Sequence, residues 1–265
     1  MEVVIRPTPE TAVALAAAIV AQAVRSKPDL VLGLATGRTM ERLYAELVRR
    51  HREEKLDFSA CRTFNLDEYA GLPPSDEASY HYYMETHFFR PVGMDRERAH
   101  LPKGTAPDLD RECVNYEERI RHFGGIDLQV LGIGKAGHIG FNEPLSAFQS
   151  RTRVKALSPA TIAQNAGLFK DPAKMPRRAL TMGVGTILEA KRLLMLVTGE
   201  SKAEILARAV EGPVTAMVSA SAIQLHPKCV VICDEAAAGA LKESEYYRWI
   251  FDNEPEWEAY RGDGL

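Results

Sequence analysis

The chain has 265 residues, a net charge of −3, and 46% hydrophobic and 26% charged residues, an ordinary soluble composition. That length suits one large α/β domain or two small ones, with ample material for a core. The charge gives no electrostatic reason to expect nucleic acid or an anionic membrane as partner, and no apolar run approaches the ~20 residues of a spanning helix.

The opening MEVVIRPTPE lacks a basic-then-apolar leader pattern, so a cytoplasmic protein is expected. Cys61, Cys113, Cys229 and Cys233 include no C-x-x-C pair, which points to buried reduced thiols over a metal site.

Val3 to Ile5 is a short strand candidate. Thr8-Pro9-Glu10 reads as a helix start: a capping hydroxyl, a proline for the first turn and an acid for the positive dipole end. The helix is expected to reach about Arg25. Leu30 to Ala35 is continuously apolar and reads as a strand buried on both faces. Thr36-Gly37-Arg38-Thr39 follows, then a helix from Met40 to about Glu54. Strand, glycine turn, helix start is a generic anion site, and equally a capped helix after a tight turn. It is no Walker loop, since no G-K-[ST] follows.

Cys61 to Leu66 is the next strand. It delivers Asp67-Glu68-Tyr69 at its carboxyl end, where open α/β sheets bind ligands. Gly71 to Asp76 is a Pro-rich loop. Helices are expected over Ser79–Phe89 and Asp108–Phe123, with a Pro- and Gly-rich loop between them. Ile126 to Ile133 is a buried strand leading into the most informative stretch, LGIGKAGHIGFNEP, residues 131–144. Its glycines allow sharp turns and close approach, and His138 with Glu143 just past a strand end is placed for proton transfer.

In SRTRVK, Arg151, Arg153 and Lys155 alternate, so an extended segment puts them on one face, as an anion site or a solvated edge. Residues 158–176, helical and then loop-like, form a candidate lid. Arg177–Met182 and Arg192–Thr198 are strands around a helix start at Val184-Gly185. Thr198-Gly199-Glu200-Ser201-Lys202 repeats the strand, glycine turn, helix-start theme, now with a lysine. Leu225 to Cys233 holds the last strand, and Asp234-Glu235 opens a helix. The tail with Trp249, Phe251 and Trp257 is expected to pack as a helix on the body or on a neighbouring subunit. This strand–helix alternation argues for a single α/β domain over residues 1–265: a doubly wound, mostly parallel sheet with helices on both faces.

Gly132, Gly134 and Gly137 also fit G-x-G-x-x-G, which raises a nicotinamide oxidoreductase as an alternative. The context opposes it: Pro144 interrupts any helix, and the basic Arg151, Arg153 and Lys155 stand near where a ribose-binding acid belongs. A non-catalytic sugar-phosphate sensor is a third reading.

FNLDEYAGL, GHIGFNEP, SRTRVK, LTMGVGT and VTGESKA together resemble the glucosamine-6-phosphate deaminase family nearly end to end. The galactosamine-6-phosphate relatives are a second match and the 6-phosphogluconolactonases a more distant one. The resemblance implies a doubly wound α/β sandwich with neither metal nor organic cofactor, a small sugar phosphate as substrate, and in some members a homo-oligomer. It implies aldose-to-ketose isomerisation with loss of ammonium. His138 would shuttle the ring-opening proton, Asp67 would move the C2 proton to C1, Glu143 would orient His138, and Glu68 would support the base. Thr36, Gly37, Arg38, Thr39 and Lys202 would hold the phosphate. Ser146, Arg153 and Lys155 match positions that bind an allosteric effector in some members.

Two positions depart from the family pattern. The deaminases usually carry D-G-H where this chain has Ala136-Gly137-His138, so His138 lacks one of two carboxylate partners. Galactosamine-type relatives also tend to lack that acid. The lid pattern A-N-x-R-F places an arginine on the phosphate, where this chain has Gly167. Arg38, standing where the family usually has a small residue, is the expected compensation.

Overall fold

The computed structural model describes residues 1–261. Its strands are β1 (Glu2–Arg6), β2 (Val31–Leu34), β3 (Arg62–Asn65), β4 (Asp67–Tyr69), β5 (Ala99–His100), β6 (Leu128–Leu131), β7 (Arg153–Ala156), β8 (Arg178–Thr181), β9 (Leu193–Val197) and β10 (Cys229–Asp234). Its α-helices are α1 (Pro9–Ser26), α2 (Arg38–Glu54), α3 (Tyr80–Met84), α4 (Leu109–His122), α5 (Pro159–Asn165), α6 (Val184–Leu188), α7 (Ala203–Val210), α8 (Glu235–Ala238) and α9 (Ser244–Asn253).

Seven strands form one sheet in the order β1-β10-β9-β6-β2-β3-β5, and every pairing in it is parallel. Helices cover both sides, as expected. The strand interiors are apolar because both faces are covered; Val31, Leu32 and Leu34 are all buried. The chain moves from β2 out to β3 and β5, then returns to β6 on the other side of β2 before continuing to β9 and β10. That reversal opens a crevice at the carboxyl ends of β2 and β6, the usual ligand position in such sheets.

Local signals account for the long helices. Thr8 caps α1 in a capping box with Thr11, worth about 1 kcal/mol, and Pro9 sits in its first turn. Asp108 caps α4 through the Arg111 amide. The expected 79–89 helix is α-helical only to Met84 and continues as a π-helical turn, Glu85–Phe89.

A second sheet was not foreseen. Asp67–Tyr69 does not merely trail off β3: it forms β4, which pairs antiparallel with β8, and β8 with β7, in the order β4-β8-β7. The strand expected at 177–182 therefore lies outside the main sheet. The two-residue β5 interrupts the loop expected between residues 89 and 108. Tyr69, Phe141, Leu157, Met175 and Ala179 make a small separate core beside this sheet. In the tail, Phe251 and Trp257 are buried against each other, and Trp257 Nε1 donates to Glu2 Oε2 at 2.6 Å, so the tail packs on the body while Trp249 is exposed. Among the described residues no helix is long and apolar enough to cross a membrane.

Candidate active site

Four adjacent strands, β9-β6-β2-β3, end along one edge, and each delivers part of the site. The 36–39 turn follows β2, Asp67 follows β3, the 132–143 loop follows β6, and Thr198–Lys202 follows β9.

The turn after β2 leads directly into α2, whose N-cap is Gly37 with no side chain to satisfy the first amides. Thr39 Oγ1 lies 3.4 Å from Thr198 Oγ1, which closes the β2 turn against the β9 turn. Lys202 donates from Nζ to the Ile133 carbonyl, just past β6, at 2.7 Å. Burial, followed by nearby Lys135, lowers the Lys202 pKa. Thr36, Gly37 and Thr39 thus make a donor-rich turn after β2, closed by Thr198 of the segment that leads into Lys202. Arg38 stands exposed at its rim. Thr198 is a member of this corner that the sequence reading did not single out.

Asp67 is buried, and its pKa is pushed up to about 8 by burial and then by the charge of Glu68. Gly140 approaches it so closely that a Cβ there would lie 3.3 Å from Asp67 Oδ2 and 2.9 Å from Thr181 Oγ1. Glu68 does not share the crevice chemistry. Its Oε2 accepts from Ser79 Oγ at 2.7 Å, the His81 amide at 3.0 Å and His81 Nδ1 at 2.9 Å. Its Oε1 accepts from the amides of Tyr69 at 2.7 Å and Tyr80 at 3.1 Å. Five donors occupy it, so Glu68 fixes the start of α3 and acts on Asp67 through its charge.

No helix opens at Gly137. The 132–143 segment is an irregular loop, which removes the dinucleotide fingerprint's structural requirement. Gly134 is there for close approach: a Cβ would meet His138 Nε2 at 2.0 Å. His138 Nδ1 stands 3.6 Å from Glu143 Oε2, and neither atom has a hydrogen-bond partner among the described residues. The other Glu143 oxygen, Oε1, accepts from the Ser158 amide at 3.0 Å, at the N-cap of α5. Burial lowers the His138 pKa, with the Glu143 charge opposing it and Lys202 adding to it. His138 also lines a cleft of about 330 Å³ with Lys135, Ala136, Thr161 and Gln164.

Arg153 and Lys155 stand two residues apart on β7, on one face of the strand, and Arg151 lies outside it. Arg151 precedes β7 and is engaged by Glu117 and Glu189. Arg153 turns inward, donating to Asn142 Oδ1 at 2.9 Å and Ser146 Oγ at 3.1 Å. Lys155 is exposed. Ser146 and Arg153 therefore meet beside the loop that carries Glu143, because Asn142 is its chain neighbour. Among the described residues no group of three or more His, Cys, Asp or Glu side chains is placed to hold a metal ion.

Residues 8–232 match the family of glucosamine-6-phosphate isomerases and 6-phosphogluconolactonases. The chain belongs to that family. A glucosamine-6-phosphate deaminase of Bacillus velezensis is 51% identical over 84% of this chain and 93% of its own length. One from Corynebacterium urealyticum is 48% identical over 98% of this chain and all of its own. Among solved structures, one described as a monomeric glucosamine-6-phosphate deaminase superposes with a TM-score of 0.88 at 45% identity, covering 91% of this chain and 100% of that one. The family membership fits a crevice whose residues pair a buried acid with an imidazole and a donor-rich corner.

Proposed function

We propose that this chain converts glucosamine 6-phosphate and water to fructose 6-phosphate and ammonium. The observation that carries the reading is Asp67: a buried carboxylate with a raised pKa, at the strand edge that also presents His138 and the 36–39 turn. Relatives named for this activity at 48–51% identity support it.

The phosphate sits on Thr36, Gly37, Thr39 and Lys202, with Arg38 supplying the charge that Gly167 lacks. Neutral His138 moves a proton between the anomeric hydroxyl and the ring oxygen, opening the pyranose. Asp67 then takes the C2 proton and returns it to C1. One ammonium proton passes to the C1 oxygen as the double bond shifts, leaving a protonated imine at C2; water adds there and ammonium leaves, giving the ketose. Glu143 orients His138 and stabilises its charged form. Their separation of 3.6 Å is longer than a hydrogen bond, and tightens when the 158–176 segment closes as a lid, since Ser158 holds the other oxygen of Glu143.

Such an enzyme acts in the cytoplasm on a freely diffusing substrate, and the reading needs no second chain. Ser146 and Arg153 are retained as an effector site that reaches Glu143 through Asn142, with Lys155 at its rim.

Galactosamine 6-phosphate is the second reading, favoured by Ala136 in the cleft beside His138, where an acid is usual. Ammonium release from both epimers, each repeated with Ala136→Asp, tests the proposal. Turnover of the glucosamine epimer by the unmodified chain is expected. Turnover of the galactosamine epimer alone reassigns the substrate. Release from neither, with activity only in Ala136→Asp, makes the natural chain a binding protein.

A further inference from the structure

The loop after β6 lies across the start of α2. A Cβ on Gly132 would stand 3.6 Å from Met40 Cε, in the first turn of that helix. The next carbonyl, that of Ile133, accepts from Lys202 Nζ at 2.7 Å. The chain then turns tightly: the Gly134 amide donates to the His138 carbonyl and the Gly137 amide to the Gly134 carbonyl, both at 2.9 Å. Lys135 occupies the tip of that turn, just past the carbonyl that holds Lys202. It is exposed, and it lines the cleft of His138. Its charge is felt at Lys202, whose pKa is lowered by burial and then by Lys135. Among the described residues neither lysine is paired with a carboxylate. Two like charges brought to one place with no acid between them leave room for an anion.

We infer that Lys135 is a substrate-binding residue, a second cation on the substrate's phosphate that reaches it from the β6 loop as Lys202 does from the segment after β9. The inference rests on the proposed substrate and adds how that substrate is oriented. An amino sugar phosphate carries a single anionic group, and its C2 amine takes the opposite charge when protonated. Cations in the cleft therefore attract one end of the molecule and oppose the other. Lys135 and Lys202 draw the phosphate to the 36–39 turn and keep the amine away from it. The amine end is left to the buried acid at the end of β3, Asp67, where the C2 proton has to be taken. Substrate bound in the reverse sense would set its ammonium against two lysines and its phosphate against Asp67.

Titration calorimetry with inorganic phosphate as the probe tests this without turnover. Lys135 is exposed, so its variants are expected to fold. Lys135→Met is expected to weaken phosphate binding about tenfold, equivalent to ~1.4 kcal/mol, and Lys135→Arg to stay within about twofold of the unmodified chain. Lys228→Met removes the same charge just before β10, at the opposite edge of the sheet, and is expected to bind phosphate as the unmodified chain does. In ammonium release, the Lys135→Met loss is expected to fall on KM for glucosamine 6-phosphate. Equal phosphate affinity in Lys135→Met and the unmodified chain overturns the inference and leaves the proposed function standing. Equal weakening in Lys228→Met also overturns it, since the effect is then one of net charge. Tenfold weakening confined to Lys135→Met, with no ammonium release from the unmodified chain, keeps the two lysines as an anion site and removes the proposed reaction. Absence of phosphate binding in the unmodified chain overturns both the inference and the proposed phosphate turn.

Discussion

A carboxylate orients an imidazole only if the two stay in register, and in the proposed site one acid performs that task. Glu143 is held at one oxygen by the Ser158 amide and presents the other to His138. Glu143→Gln keeps the shape and removes the charge, so His138 loses its orientation and the stabilisation of its protonated form. A fall in kcat of about 10²- to 10⁴-fold is expected from ammonium release at fixed pH. Arg38 makes a separate argument. It is exposed, so its contribution falls on binding. Arg38→Ala is expected to raise KM about tenfold, equivalent to ~1.4 kcal/mol, with kcat little changed. Space is open around Gly167, so Gly167→Arg in the same chain should recover most of that loss. An unchanged KM in Arg38→Ala would leave Lys202 as the phosphate's charged partner.

At the scale of elements, Glu68 shows what the sequence hides. FNLDEY puts two acids side by side after a strand, the first expected as the base and the second as its support. Only the fold reveals that one faces the crevice and the other collects five donors from Tyr69 and residues 79–81. The long elements were legible because they carry their own periodicity and caps: Thr8 and Pro9 for α1, the apolar 30–35 run for β2. The β4-β8-β7 sheet was not, because three- and four-residue strands have no period to read and β4 pairs with a strand far along the chain. Of the proposed site, the turn after β2, Asp67, His138, Glu143 and Lys202 stand out in the sequence as residue types at strand ends. The Ser158 amide on Glu143 and the contact of Thr198 with Thr39 do not, since each is a tertiary contact. The role of Glu68 has a measurable consequence. Glu68→Ala strands those donors in a buried place, so urea denaturation should show a loss of about 3 kcal/mol. Local loosening of α3 should accompany it, raising KM as the proposed phosphate turn loses the Tyr83 bond to the Gly37 carbonyl. A loss below ~1 kcal/mol would mean that water serves those donors as well as Glu68 does.

The whole molecule carries a cost concentrated at Asp67, where the proposed reaction needs a base that the fold would prefer uncharged. Burial and the Glu68 charge raise its pKa from an ordinary 3.8 to about 8. In the unfolded chain the same group ionises near the ordinary value. Between those two pH values the folded chain binds a proton that the unfolded chain has released, so folding stability falls as pH rises. The favourable contribution is complete below pH ~4 and is lost as pH climbs through about 8. Activity runs the opposite way. The base works deprotonated, so kcat/KM should rise with pH and level off above about 8. Asp67→Asn removes both dependences. Its melting temperature should exceed that of the unmodified chain by a margin that grows from pH 5 to pH 9, while ammonium release is abolished at every pH. A constant margin across that range would mean that Asp67 is already ionised in the folded protein at pH 5. The rising limb of kcat/KM would then have to be assigned to another group, with His138 next in line because burial lowers its pKa from the usual imidazole value.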